Sequence, residues 1–180
     1  MNTFQNNIMK QLKHMNNTLI DFKNFFKPSP KTNYSIKSVI EELLDLIGKQ
    51  YLHNNIEINI KADESIETYG YSNEFKQVVI NILNNAKDAI ISKQQIEKFD
   101  GEIKINLDPN YKVISVEDNG GGITDNLIDK IFEPYVSTKG DRGTGIGLHI
   151  SKTLIDNANG KLSVRNGDIG AIFTIALGQL

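Results

Sequence analysis

The chain has 180 residues, 39% of them apolar and 23% charged, with a formal charge of -2 and a pI near 5.9. That length allows one well-buried core plus a small extension, the charge balance excludes the basic footprint of a nucleic-acid binder, and the lack of cysteine excludes disulfides, thiolate metal sites and a cysteine nucleophile. No apolar run approaches transmembrane length and Met1 to Lys13 has no signal-peptide core, so a soluble, cytoplasmic chain without internal repeats is expected.

From Ile8, the residues Leu12, Met15, Leu19, Phe22 and Phe26 recur at alternating steps of four and three, the seam of a helix that packs on another helix. A second copy of the chain or a helix from elsewhere would cover that seam; folding back onto the main domain is the alternative. Pro28 and Pro30 end the helix, because neither continues it and both bias the preceding residue toward extended backbone. The expected division is a helix over 1–27, a linker over 28–33 and one domain over 34–180.

Val39, Ile40, Leu43, Leu44 and Ile47 predict a second amphipathic helix ending near Gly48 or His53, and Ile56, Ile58 and Ile60 alternate as a strand. A short strand over Ile66 to Tyr69 leads into a long helix reaching about Lys98. That helix has two unlike faces. Phe75, Val79, Ile82, Ala86 and Ile90 form an apolar stripe for a sheet to cover; Gln77, Asn81, Asn84, Asn85 and Asp88 form the opposite one. Asn is a poor helix former, so an amide-rich face needs a reason. One is a hard cation carried in by a polyphosphate, which an amide oxygen ligates without adding negative charge. Compositional bias is the other, since 21 of the 180 residues are Asn.

Ile103, Ile105 and Leu107 alternate in a strand, Asp108-Pro-Asn110 turns it, and Lys112 to Glu117 returns beside it. Asp118 then stands where a strand ends and three glycines begin. A carboxylate there can accept a hydrogen bond from an exocyclic amine, and Gly120 and Gly122 let a ring approach the backbone; a plain Asp-Asn-Gly turn is the alternative. Farther on, Gly143 to Leu148 opens a helix running to about Asn157, with Gly160 beyond its end. Amides without partners and the helix dipole favour an anion there, a triphosphate for instance; a C-cap and flexible linker is the alternative. Thr144 can add a hydroxyl, and Lys139 and Arg142 can add charge. No Lys-Ser or Lys-Thr follows the last glycine and no strand leads into the first, so neither a Walker A loop nor a Rossmann fingerprint fits. Gly140 to Gly143 is expected to act as a short mobile lid, anchored by Phe132 and Tyr135 as packing residues. A final hairpin is expected over Leu162 to Arg165 and Ala171 to Leu177.

Taken in order, the Asn helix, Asp118-Asn-Gly-Gly-Gly-Ile123, Phe132-Glu-Pro-Tyr-Val-Ser-Thr-Lys139 and Gly143-Thr-Gly-Ile-Gly-Leu148 resemble the N, G1, F and G2 boxes of the sensor histidine kinase ATP-binding domain. The same superfamily includes the gyrase and MutL ATPases, and the likeness runs from about Tyr34 to Leu177. It implies a Bergerat-type α/β fold: a two-layer sandwich of a mixed, mostly antiparallel sheet with helices on one face, here with an N-terminal helix attached. It also implies ATP and Mg²⁺ as ligands, with Asn85 on the metal, Asn81 on the phosphates or on a metal-bound water, Asp88 completing that face and Asp118 on adenine. Gly120, Gly122, Ile123, Phe132, Thr138, Lys139, Arg142, Gly143, Thr144, Gly145, Gly147 and Leu148 would surround the nucleotide, and Asn81, Asn85 and Lys139 would serve catalysis.

Position 81 separates relatives within the superfamily. In the gyrase and MutL ATPases and the serine-directed kinases, the residue four before the metal-binding Asn is a Glu acting as general base. Water and serine must lose a proton to attack phosphorus, whereas a neutral imidazole has a free lone pair. Asn81 cannot be a base, which favours transfer to histidine. His14, followed by Met-Asn-Asn, lacks the acidic neighbour of a phosphoacceptor; His53 ends a helix, and His149 follows the glycines of the second motif. None matches the acceptor box. The resemblance therefore implies a piece of a longer kinase whose Ile8 to Phe26 helix is the second of a dimerisation hairpin, and it leaves open a membrane anchor on the full-length protein. The acceptor-histidine dimerisation domain, a second copy in the full-length homodimer and a response regulator would be its partners, with no nucleic acid among them.

Overall fold

A computed structural model describes residues 30–62, 64–137 and 145–178. The predicted heptad helix, His14, the first two linker residues Pro28 and Ser29, and Thr138, Lys139, Arg142, Gly143 and Thr144 lie outside the described residues. In chain order the elements are β1 (Thr32–Ser35), α1 (Ile36–His53), β2 (Ile56–Lys61), β3 (Glu67–Gly70), α2 (Ser72–Gln94), β4 (Gly101–Asp108), β5 (Val113–Asp118), α3 (Asp125–Ile128), α4 (Gly147–Asn157), β6 (Lys161–Asn166) and β7 (Ala171–Ala176).

Five strands form one sheet in the order β2-β4-β5-β7-β6, with β2 parallel to β4 and every other neighbour antiparallel. Alternation sets its two faces. Ile103, Ile105, Leu107, Ile114, Val116, Phe173 and Ile175 point into the core, while Lys104, between them in sequence, is exposed and pairs with Glu102 at 3.0 Å. Onto the inner face pack the apolar stripes of α1 (Ile36, Ile40, Leu43, Ile47) and α2 (Phe75, Val79, Ile82, Ala86, Ile90). The expected two-layer α/β sandwich is the architecture found, and α4 lies along α2 in the helical layer.

Local chemistry sets the element ends. The Ser35 hydroxyl accepts from the Ser38 amide at 3.1 Å and caps α1. Asp108 accepts from the amides of Asn110 and Tyr111 at 3.0 and 3.3 Å, building the predicted turn between β4 and β5. The long helix stops at Gln94 rather than near Lys98, because Ile96 finds nothing to pack on and stays 88% exposed. Two elements were not expected. The single-turn α3 carries no apolar period, and β1 pairs antiparallel with β3 in a separate two-stranded sheet. β1 takes up Thr32 and Asn33, the end of the stretch read as linker.

Candidate functional site

The Asn face of α2, the loop after β5 and the start of α4 meet at a cleft of about 1200 Å³, somewhat larger than an ordinary small-molecule site of about 300–1000 Å³. Asn81, Asn85 and Asp88 line it from α2, because their stripe faces away from the sheet that buries Val79, Ile82 and Ala86. Asp118, Gly120, Gly122 and Ile123 line it from the β5 loop, and Gly145, Gly147 and Leu148 from the start of α4. Ala89, Ile91, Leu127, Ile131, Ala171 and Phe173 give the wall an apolar part. Ten of the predicted site residues are thus brought to one cavity.

At its floor Asp118 is only 4% exposed. Burial pushes its carboxyl above the ordinary carboxylate range, opposed by hydrogen bonds from the Gly120 amide at 2.8 Å and the Ala171 amide at 3.4 Å, both to Oδ1. A buried carboxylate that meets its own chain through one oxygen is an acceptor suited to an amine edge. The loop beyond it is built on close approach. A Cβ on Gly120 would lie 2.7 Å from the Ala89 Cβ and 2.9 Å from the Ile90 nitrogen, so only glycine lets the loop rest on α2.

Latches on both sides hold that loop. Lys93 donates to the Asn119 carbonyl at 3.1 Å, while Asn119 accepts from the Glu102 amide and donates to the Asp100 carbonyl, both at 2.9 Å. From the β6–β7 turn, Asn166 accepts from the Ile123 amide at 2.8 Å and donates to the Ile123 carbonyl at 2.7 Å. Lys93, Asn119 and Asn166 were not anticipated. Asn119 lay inside the recognised motif, but Asn166 meets Ile123 across 43 positions of chain, and no local pattern signals such a contact.

The mouth of the cleft is the N-terminus of α4, where no side chain of the N-cap residue Ile146 closes the helix end. Such an end offers backbone N–H groups and a positive dipole to an anion. Gly145, at φ +64°, accepts from the Tyr135 amide at 3.0 Å and leaves no room for a Cβ against the Tyr135 backbone. The amide of Asn81, expected at the phosphates or at a metal-bound water, turns its NH₂ to α4 and donates to the Gly147 carbonyl and the Ser151 hydroxyl, each at 3.1 Å. Phe132 stands apart from the described cleft wall. Its carbonyl lies 3.0 Å from His149 Nδ1 and the Lys152 ammonium sits 5.7 Å from its ring centre, whereas Tyr135, expected to pack beside it, is 78% exposed.

Among the described residues no group of three or more His, Cys, Asp or Glu is poised to hold a metal. The α2 stripe suits instead a cation whose ligands come largely from phosphates, with one or two amide oxygens added.

Residues 70–179 match the family described as histidine kinase-, DNA gyrase B- and HSP90-like ATPases. Over 177 residues the chain is 30% identical to the signal transduction histidine-protein kinase AtoS of Escherichia coli, covering 94% of this chain and 28% of that protein. Over 144 residues it is 33% identical to the two-component sensor PprA of Pseudomonas aeruginosa, covering 78% and 16%. The chain thus spans under a third of the length of these curated relatives. The catalytic domain of histidine kinase ThkA, solved nucleotide-free, superposes with a TM-score of 0.73 at 28% identity over 83% of this chain and 96% of that one. ThkA in complex with the response regulator TrrA shares the fold, with a TM-score of 0.69 at 23% identity over 99% of this chain and 51% of that one.

Proposed function

Because the chain belongs to the histidine kinase-, DNA gyrase B- and HSP90-like ATPase family, we propose that its cleft binds Mg-ATP and that its γ-phosphoryl group passes to a histidine outside this sequence. Asp118 would accept from the adenine amine, and the glycines of the β5 loop would let the ring lie against backbone. The amides opening α4 would meet the phosphates, with Lys139, Arg142 and Thr144 adding charge and a hydroxyl. Asn85 would hold Mg²⁺, which supplies neutralisation of phosphate charge when bound, and Asp88 would lie beside it. An imidazole nitrogen attacks the γ-phosphorus, its bond to the β–γ bridging oxygen breaks, and ADP leaves. The protein's contribution is positioning and electrostatics, which suffice for a transfer with little covalent chemistry of its own.

One observation carries the choice of acceptor. The side chain one turn before Asn85 is an amide whose NH₂ donates to Gly147 and Ser151, so it can take no proton from water or serine. We propose as partners an acceptor-histidine dimerisation domain, a second copy of the full-length chain and a response regulator, meeting in the cytoplasm; the two-component sensor among the relatives and the ThkA–TrrA complex support the response regulator. No helix among the described residues is long and apolar enough to cross a membrane.

The test is to mix the chain with γ-labelled ATP and a separate dimerisation domain carrying an acceptor histidine. Acid-labile, base-stable label on that domain is expected. Acid-stable label would point to serine, and nucleotide binding without any transfer would leave a regulatory nucleotide-binding module in place of a kinase.

A further inference from the structure

Asn81 and Ser151 lie 70 positions apart on two helices that wall the same cleft from different sides. Ser151 is 0% exposed, one of two buried polar or charged residues among those described. Its hydroxyl donates to the Gly147 carbonyl at 2.9 Å. The Asn81 NH₂ donates to that same carbonyl and to the Ser151 oxygen. The orientation of the amide follows from chemistry: the Gly147 carbonyl only accepts, so it must face the nitrogen of Asn81. The Ser151 proton is then committed to Gly147, and its oxygen is left to accept from Asn81. Three groups close a ring of hydrogen bonds in which every role is determined.

We propose that Asn81 and Ser151 are a positioning pair, a tie that fixes the first turn of α4, where phosphates would bind, in register with the turn of α2 that carries Asn85. This rests on the nucleotide reading above and deepens it, by giving Asn81 a task other than base or ligand and by giving Ser151 a task in binding. It also accounts for the residue types. A Glu at 81 has no donor for two acceptors. Lys has no planar NH₂ to divide between them within one helical turn, and Ala at 151 leaves the second donor of Asn81 without its acceptor. The distance from Gly147 to the metal-side amide matters because phosphate affinity at a helix N-terminus falls off within one turn.

The tie acts on the phosphates and not on the base, since Asp118 and its loop are held by other contacts. The affinities of Mg-ATP and of adenosine, measured by calorimetry and ligand-observed NMR, therefore separate it from a general packing role. Ser151→Ala is expected to weaken Mg-ATP about tenfold and to leave adenosine within about twofold, and Asn81→Leu, which nearly keeps the volume and removes the donors without adding charge beside the phosphates, should do the same. The double variant should lose no more than either single one, because both break one unit. Equal losses for both ligands, no loss for either, or additive losses in the double variant would overturn the tie. If Ser151→Ala does not fold, Asn81→Leu carries the same comparison. A wild-type chain that binds Mg-ATP no better than adenosine would instead remove the nucleotide assignment itself, and the tie with it.

Discussion

A carboxylate at 4% exposure is held in the fold at a cost, and for Asp118 the sign of that cost can be read from its titration. Burial raises its folded pKa above the ordinary value of 3.8. A raised acid favours the folded state below the unfolded pKa and loses that advantage as pH climbs through the folded one. Asp118→Asn keeps an oxygen for the Gly120 and Ala171 amides and never ionises. Its melting temperature should therefore match the wild type near pH 3.8, exceed it increasingly as pH rises and hold a constant lead above the folded pKa. ATP binding should be lost in the same variant, because an NH₂ now faces the adenine amine. Thermal melts across pH 3.5 to 7 with calorimetry at neutral pH test both halves, and a variant that is less stable at neutral pH yet binds ATP normally would contradict the assignment.

At the scale of elements, the β6–β7 turn works as a back wall for the β5 loop. Asn166 pairs with Ile123 as a strand neighbour would, and Gly170 sits so close to the Asp118 backbone that no Cβ fits. Asn166 is exposed, so its two bonds contribute modestly, about 1 kcal/mol or less together. Asn166→Ala should lower the melting temperature by only a few degrees and weaken both adenosine and ATP, by about three- to fivefold; an effect on ATP alone would show that the turn does not act through the base. The elements legible in the sequence are those with a period. The stripe Phe75 to Ile90 and the alternation Ile103 to Leu107 are repeated signals, and each named its buried face. Four-residue β1 and β3 and the single turn α3 are too short to repeat anything. Asn166 and Ser151 escape for another reason: each makes its contact across a long stretch of chain, and an Asn or Ser in isolation is equally suited to solvent.

For the molecule as a whole, the layout divides labour. The sheet and the inner stripes of α1 and α2 make the core, and one edge of the helical layer opens into the cleft, so the site borrows its rigidity from residues that never touch a ligand. Ligand binding should feed back on stability. A ligand at about a hundred times its Kd stabilises the fold by about 2.7 kcal/mol over the ligand-free chain, read as a higher melting temperature, and Mg-ATP should raise it further than the same concentration of ATP with chelator. Asn85→Ala should keep the rise given by ATP alone and lose the increment added by Mg²⁺. Losses of equal size with and without the metal would count against Asn85 as its ligand. The same layout explains why the four motifs, weak singly, are informative in order: all four supply walls of one cavity, the Phe132 to Lys139 stretch through Val136 and Ser137.

The most direct measurement is a crystal structure of the chain grown with Mg²⁺ and a non-hydrolysable ATP analogue. The adenine amine should lie within hydrogen-bond distance of Asp118, the metal should take an oxygen of Asn85, and the phosphates should face the amides that open α4. A base seated elsewhere in the cleft, or a metal out of reach of Asn85, would contradict the account.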